Sequence, residues 1–521
     1  MTENAQLAAS TLANLVALGV KKVVVCAGAR NAPIVASLLS VREKAGFEVF
    51  HHFDERSASF FALGLAKRDW QPVAVITTSG TAVAELLPAA VEGYYSGIPL
   101  VLVTADRPIR YRGSGAPQAI EQKELFGPYT PISLDLERVW DLDDLGDWDG
   151  ASPVHLNVCL EEPRPDDVVT ELPESVFSPP RTGEIKSVGD RLTDFLQDGN
   201  NGVVVLLGEL APSWRAGVES FLVNLGAPVW AECTSGLRES VALGEFLVPF
   251  EQNVSQFDIR KVIRIGGVPS LRYWRDLEDA RDIRVLSISR RPFSGLSRDS
   301  ELIVTDEFPE VACSTHEILD ERIDVSGGDR FEQLLEKYPT SEAALVRKLG
   351  ATIPSDALVF LGNSLPVREW NLSAPYGRPH PRCFASRGAN GIDGQVSTFL
   401  GLSHGEEESW GIFGDLTTLY DLNAPALLEQ TGEGKRRIVV INNGGGRIFS
   451  RLPSLSKLPE SHKEVTENRH ERHLEDWAKM WGMEYVSWTG TEDFLLSDSK
   501  RIVLELLPDI DATESFWSEW K

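Results

Sequence analysis

Short runs rich in Val, Ile and Leu alternate with longer stretches of helical spacing along most of the chain. Val23–Cys26, Val73–Thr77 and Leu100–Thr104 read as strands, each followed by a turn rich in Gly, Ser, Thr or Asp. Asn31–Lys44, Ser57–Arg68 and Thr81–Ser96 between them read as helices. The rhythm returns at Val203–Leu207, Val262–Gly267 and Val285–Ser289, and again at Ala357–Leu361. Runs this apolar, interleaved with helices, predict parallel sheets covered on both faces. A Pro-rich acidic stretch, Glu161–Glu184, reads as a linker, and Asp324–Thr340 as a second loose segment. The expectation is an α/β chain of three domains, 1–180, 181–335 and 336–521, each with a mostly parallel sheet flanked by helices. The central one is expected to be Rossmann-like, but it lacks a GxGxxG, so nothing supports a dinucleotide there. The tail, Asp509–Lys521, is polar apart from Trp517 and Trp520 and receives no assignment.

One stretch organises the rest. In Trp410–Phe449 a short apolar run (Ile412, Phe413) stops at Gly414-Asp415, and a helix-like segment spans Thr417–Gln430. A second run, Ile438–Ile441, then ends in Asn442-Asn443-Gly444-Gly445-Gly446. Strand, turn, helix, strand places two polar turns at the carboxyl ends of neighbouring parallel strands, where open α/β sheets bind ligands. Asp415 offers a carboxylate, Asn442 or Asn443 an amide oxygen, and the glycines bare carbonyls. Such hard oxygen donors suit Mg²⁺. The helix start beside Asp415 adds free N–H groups that favour a diphosphate. Gly-Asp and Asn-Gly are also common turn punctuation.

Composition narrows the partners. With 521 residues, 42% hydrophobic and 25% charged, the chain has the make-up of an ordinary globular protein of two or three domains. A net charge of −26 argues against nucleic acid, and it requires local arginines if the substrates are anions. Five scattered cysteines (Cys26, Cys159, Cys233, Cys313, Cys383) without a CxxC suggest reduced thiols. No signal peptide and no apolar run long enough to span a bilayer is found, so a cytoplasmic protein is expected.

Phe53-Asp54-Glu55-Arg56-Ser57-Ala58 ends an aromatic approach and opens a helix. It reads either as a capping cluster or as a carboxylate set beside a ligand. His51-His52 falls in a strand and is taken as structural. Arg451–Arg472 loses periodicity just after the glycine turn and is either a lid or a solvated loop.

The spacing of Gly414-Asp415 to Asn442-Asn443 resembles the signature of thiamin-diphosphate (ThDP) enzymes. So do longer words: DERSASFFALGLAK, TTSGTAVAELLPAAVEGYYSGIPLVLVTADRP and GAPQAIEQKELFG early in the chain, then LGNSLPVREW, ASRGANGIDGQVSTFLG, GDLTTLYDLNAPALL and NNGGGRIFSRLP. These are similar to the menaquinone-pathway branch, the 2-succinyl-5-enolpyruvyl-6-hydroxy-3-cyclohexene-1-carboxylate synthases, and span Ala27 to Pro453 in family order. The middle segment matches weakly.

The resemblance implies a carboligase that decarboxylates 2-oxoglutarate and adds the remaining four-carbon unit to isochorismate, using ThDP and Mg²⁺ or Mn²⁺. It implies Glu55 as the carboxylate that hydrogen-bonds the cofactor's aminopyrimidine, and Asp415, Asn443 and the carbonyl of Gly445 as metal ligands. Gly414, Leu416 and Thr417 would line the diphosphate, with Thr417 either donating a hydroxyl or only starting its helix. Ile392 would prop the cofactor's bent shape, and Ile448 and Phe449 would line cofactor and substrate. Arg30, Arg107, Arg368 and Arg387 would take substrate carboxylates, and Gln118 would bond substrate or intermediate. Asn363 and Ser364 would touch cofactor and substrate. Two departures stand out: Gly28-Ala29-Arg30 replaces Gly-Ser-Arg, and Arg272 stands near a position where a Lys is usual. The resemblance also implies a homodimer or homotetramer in which Glu55 of one subunit meets Asp415 of another. Two other readings compete: a ThDP enzyme with a different acceptor, and a non-catalytic ligand-binding paralogue.

Overall fold

The computed structural model describes residues 1–140, 142–146, 148–174, 188–196, 202–308, 327–452, 454–492 and 496–520. The second half of the expected linker, the boundary at 180 and Cys313 lie outside them.

Continuous apolar runs become strands buried on both faces. The first sheet holds β1 (Lys22–Val25), β2 (Glu48–His51), β3 (Val73–Thr77), β4 (Leu100–Asp106), β5 (Ile132–Leu136) and β6 (Val154–Cys159), in the order β2-β1-β3-β4-β6-β5. The second holds β7 (Val203–Leu207), β8 (Val229–Ala231), β9 (Lys261–Ile265), β10 (Arg284–Ser289) and β11 (Glu301–Val304), in the order β11-β10-β9-β7-β8. The third holds β12 (Leu358–Leu361), β13 (Cys383–Ala385), β14 (Glu408–Gly414), β15 (Lys435–Ile441), β16 (Glu484–Trp488) and β17 (Arg501–Leu506), in the order β13-β12-β14-β15-β17-β16. Every pairing in the three sheets is parallel. The first and third sheets share one strand order, a duplication of architecture that no sequence repeat announces.

By packing, the chain forms two compact units. One comprises Met1–Thr182 with Gly388–Gly405 and Leu419–Glu433; the other comprises Gly183–Arg387, Glu406–Thr418 and Gly434–Lys521. The first unit is joined by two helices, Glu55–Asp69 and Gln395–Leu402, at near backbone contact. A Cβ on Gly64 would lie 2.0 Å from the Thr398 carbonyl oxygen, and one on Gly401 2.1 Å from that of Phe61, so both positions require glycine.

Several expected elements differ. Thr81–Ser96 is two helices, Thr81–Ala84 and Leu87–Ser96, because Pro88 can start a helix but not continue one. The segment Thr417–Gln430 is a short helix, Asp415–Tyr420, and a 3₁₀ turn, Ala424–Gln430, parted by an Asp421–Asn423 turn and Pro425. The loose stretch from Asp324 contains the helix Gly327–Lys337, whose Phe331, Leu334 and Leu335 bury against Phe516 and Trp520. That apolar face also explains the tail, which is the helix Ile510–Trp520. Within 451–472 the helix Glu460–Thr466 forms. The four described cysteines, Cys26, Cys159, Cys233 and Cys383, are buried free thiols. Among the described residues no helix is long and apolar enough to cross a membrane.

Candidate active site

In the third sheet the connection after β12 leads to its neighbour on one side and the following strand lies on the other, so the order reverses between β12 and β14. The ends of β12, β14 and β15 present Asn363-Ser364, Asp415 and Asn442-Asn443. Gly445, at φ +130°, takes a backbone shape that side chains disfavour, and a Cβ there would lie 2.6 Å from the Glu467 carbonyl oxygen. This shape aims the Gly445 N–H at Asp415 Oδ2, 2.8 Å away, while the Leu416 N–H donates to Oδ1 at 2.6 Å. Burial raises the Asp415 pKa, opposed by these N–H groups and by His470, whose Nε2 lies 3.4 Å from Oδ2. Thr417 is buried two residues on, Ile448 is half-buried and Phe449 is exposed.

Asn443 decides what the loop can hold. Its Nδ2 donates to Glu342 Oε2 at 3.2 Å, while its Oδ1 is buried without a hydrogen-bond partner. An orphaned amide oxygen, a carboxylate and bare carbonyls at adjoining strand ends fit a hard divalent cation. Glu342 is buried, and desolvation, then repulsion from Glu369, pushes its pKa up to about 7. Arg451 lies between them, 2.5 Å from Glu369 Oε1 and 3.5 Å from Glu342 Oε2. The start of the expected lid is therefore anchored by a buried ion cluster.

Glu55 belongs to the other unit, together with Arg30, Arg107, Gln118 and Ile392. It is the first residue of the helix Glu55–Asp69; Asp54 caps that helix by accepting from the Ser57 N–H at 3.1 Å. The capping role in this cluster therefore falls on Asp54. Asp421, wholly buried, accepts from Ser57 Oγ at 3.0 Å and from the Ser397 N–H at 2.8 Å, and Asn423 donates to Asp54. Burial raises the Glu55 pKa; its own backbone N–H opposes this, and Asp54 and Glu85 add repulsion. The His51 backbone N–H donates to Gln430 Oε1 and its carbonyl accepts from Gln430 Nε2, both at 2.8 Å, and the His52 ring accepts from the Asp54 N–H at 2.9 Å.

The arginines divide. Arg387, nearly buried, donates to Asn363 Oδ1 at 2.9 Å and lies 3.8 Å from Glu232. Asn363 itself is buried, with Nδ2 donating to the Ser386 carbonyl at 2.8 Å, so it helps to hold Arg387 in place. Arg368 donates to the Ser364 carbonyl at 2.5 Å; desolvation, then repulsion from Arg387 and, more weakly, Arg275, lowers its pKa against attraction from Glu232. Ser364 (φ 73°) and Gln118 (φ 55°) adopt left-handed backbone, strain of the kind that collects at functional sites. Arg107 donates Nε to the Pro117 carbonyl at 3.1 Å and sits over Tyr111, beside Gln118. Arg30 is buried and donates to the Leu160 and Glu161 carbonyls and to Glu162 at 2.9 Å, so its guanidinium is engaged by its own chain. Arg272 is exposed and lies 3.7 Å from Asp276.

Residues 5–125 match the family described as thiamine pyrophosphate enzyme, N-terminal TPP binding domain. A 2-succinyl-5-enolpyruvyl-6-hydroxy-3-cyclohexene-1-carboxylate synthase of Bdellovibrio bacteriovorus is 40% identical over 99% of this chain and 98% of its own. The synthase of that name from Akkermansia muciniphila is 41% identical over the same shares, 99% and 98%. The chain belongs to this synthase family.

Two solved structures share the fold of this synthase. A protein described as a putative thiamin diphosphate-dependent enzyme from Mycobacterium smegmatis has a TM-score of 0.65 at 18% identity, covering 96% of this chain and 99% of that one. A benzoylformate decarboxylase from Polynucleobacter necessarius has a TM-score of 0.71 at 15% identity, covering 97% and 98%.

Several residues that no motif singles out brace the candidate residues within each unit. Glu92 accepts from the Gly388 and Ala389 N–H groups at 2.8 and 2.7 Å, fixing the turn that carries Ile392. It is a lone acid in an apolar helix, which was its only signal. Arg275, not Arg272, bears on Arg368, and Glu232 and Glu342 approach from segments without a motif.

Proposed function

We propose that this synthase, with ThDP and Mg²⁺ (or Mn²⁺), decarboxylates 2-oxoglutarate and joins the remaining four carbons to isochorismate. The product is 2-succinyl-5-enolpyruvyl-6-hydroxy-3-cyclohexene-1-carboxylate. One C–C bond to a carboxylate breaks, releasing CO₂, and one C–C bond to isochorismate forms. The observation that carries the reading is the orphaned Asn443 Oδ1 beside Asp415, in a chain that belongs to this family.

Bound ThDP supplies the nucleophilic carbon and the electron sink. Asp415, Asn443 and the Gly445 carbonyl hold the cation, and Gly414, Leu416 and Thr417 line the diphosphate. Glu55 holds a proton at the aminopyrimidine, and its raised pKa suits that task. Ile392, Ile448 and Phe449 support the rings. Arg107, Arg368 and Arg387 receive carboxylates, with Ser364 and Gln118 as neutral partners and Arg30 joining where Glu162 yields. Arg272 is the remaining candidate from the middle segment.

The chain is read as three domains, 1–180, 181–335 and 336–521, of a cytoplasmic enzyme. A second copy completes the site, as a homodimer or within a tetramer. The exposed Phe53, Tyr420 and Leu422 around the start of the Glu55 helix support a covering partner there.

The test is isochorismate consumption with 2-oxoglutarate, ThDP and Mg²⁺ present together and each omitted in turn. Consumption that needs all of them is expected; consumption with pyruvate but not 2-oxoglutarate contradicts the substrate assignment. Arg107→Ala is expected to lower kcat/KM for a dicarboxylate by about 10-fold or more, the worth of a charge-assisted hydrogen bond. Unchanged kinetics would return Arg107 to the role of a brace for the Gln118 turn.

A further inference from the structure

An asparagine side chain carries oxygen on one side and NH₂ on the other, and only the oxygen ligates a cation. Something must choose which way Asn443 faces. Its Nδ2 donates to Glu342 Oε2 at 3.2 Å, and Arg451 Nη2 lies 3.5 Å from the same oxygen. Oε2 therefore faces two donors and acts as an acceptor. With Nδ2 bound, Oδ1 is turned to the opposite side, where it is buried and has no protein partner.

Glu342 is itself held on three sides. It opens the helix Glu342–Thr352, capped by Ser341, and its N–H donates to Thr513 Oγ1 at 3.0 Å. Arg451 binds it together with Glu369 and sits over the Trp517 ring, 4.6 Å from the centroid. The cluster thus ties the loop after β15 to the C-terminal helix Ile510–Trp520 and to the helix Leu365–Ser373, which carries Arg368.

We propose that Glu342 is a positioning residue for the metal site, which locks the Asn443 amide with its oxygen toward the cation. This rests on the ThDP and Mg²⁺ reading above. Outer partners that orient a ligand commonly govern affinity almost as strongly as the ligand does. Glutamine at 342 would offer an NH₂ group to Asn443 Oδ1 and so permit the turned, non-ligating amide.

The experiment titrates Mn²⁺ into the full chain with saturating ThDP and reads free Mn²⁺ by electron paramagnetic resonance. Glu342→Gln is expected to weaken Mn²⁺ uptake by about 10–100-fold. In an Asn443→Ala background the same change is expected to add little, because the two act as one unit. Thr513→Val, which loosens Glu342 without removing its carboxylate, is expected to give a smaller loss, and it serves where Glu342→Gln does not fold. Wild-type affinity in folded Glu342→Gln overturns the proposal, and so do losses that simply add in the double variant. A wild-type chain that takes up no Mn²⁺ with ThDP would instead overturn the cofactor reading beneath it.

Discussion

Glu55→Gln is expected to cut turnover by about 10²–10⁴-fold, the usual worth of a positioned acid or base, while ThDP still binds within a few-fold. The substitution keeps size and helix position and removes only the ability to ionise. The surroundings argue that this ability matters. Asp54 serves as the helix cap through the Ser57 N–H, and the contact left to Glu55 at the helix start, with its own backbone N–H, is one that a glutamine oxygen can keep. Asp421, Asn423 and Ser57 fix the helix start on which it sits. Burial raises its pKa, keeping its proton available closer to neutrality than an exposed glutamate would. Steady-state kinetics beside ThDP titration by tryptophan fluorescence separates the two effects. Full turnover in the variant would remove Glu55 from the chemistry.

Asp415→Ala is expected to reduce cation-dependent ThDP binding by at least the ~100-fold that strong outer-sphere effects reach, because on the proposed assignment it removes a direct ligand. Asp415 also accepts from the Leu416 and Gly445 N–H groups, so alanine frees the glycine turn as well. Asp415→Asn retains an acceptor and separates the two causes: a loss nearly as large shows that the charge is what the site needs. Calorimetric titration of ThDP with and without Mg²⁺ reads this directly, and unchanged affinity would move the cation elsewhere.

The parts of the site legible in the sequence are those built from neighbours in the chain. Gly414-Asp415 and Asn442-Asn443 end adjacent parallel strands because each apolar run stops where its polar turn begins. What stayed hidden is long-range. Glu342 meets Asn443 across 101 positions and Glu92 meets Gly388 across 296, and apart from the place of Glu92 as a lone acid in an apolar helix nothing in the sequence points to either partner. Asn363 reads as a ligand contact from its strand end, and its bond to Arg387, 24 positions on, is a further role that no local pattern announces. Segments 388–405 and 419–433 follow the third sheet's motifs in sequence but pack with the first unit, because the Gly64 and Gly401 contact and the Asp421 bonds draw them there. The helix Gly327–Lys337 was masked by its glycine-rich start, although Phe331, Leu334 and Leu335 carry helical spacing.

The most direct measurement mixes two inactive variants, Glu55→Gln and Asp415→Ala, lets subunits exchange, and assays isochorismate consumption. If Glu55 of one subunit serves Asp415 of another, a mixed dimer carries one doubly altered site and one intact site. Activity should then return to about a quarter of wild type in an equal mixture, since half the dimers are mixed and each has one intact site of two. A mixture that stays silent after verified subunit exchange contradicts the shared site.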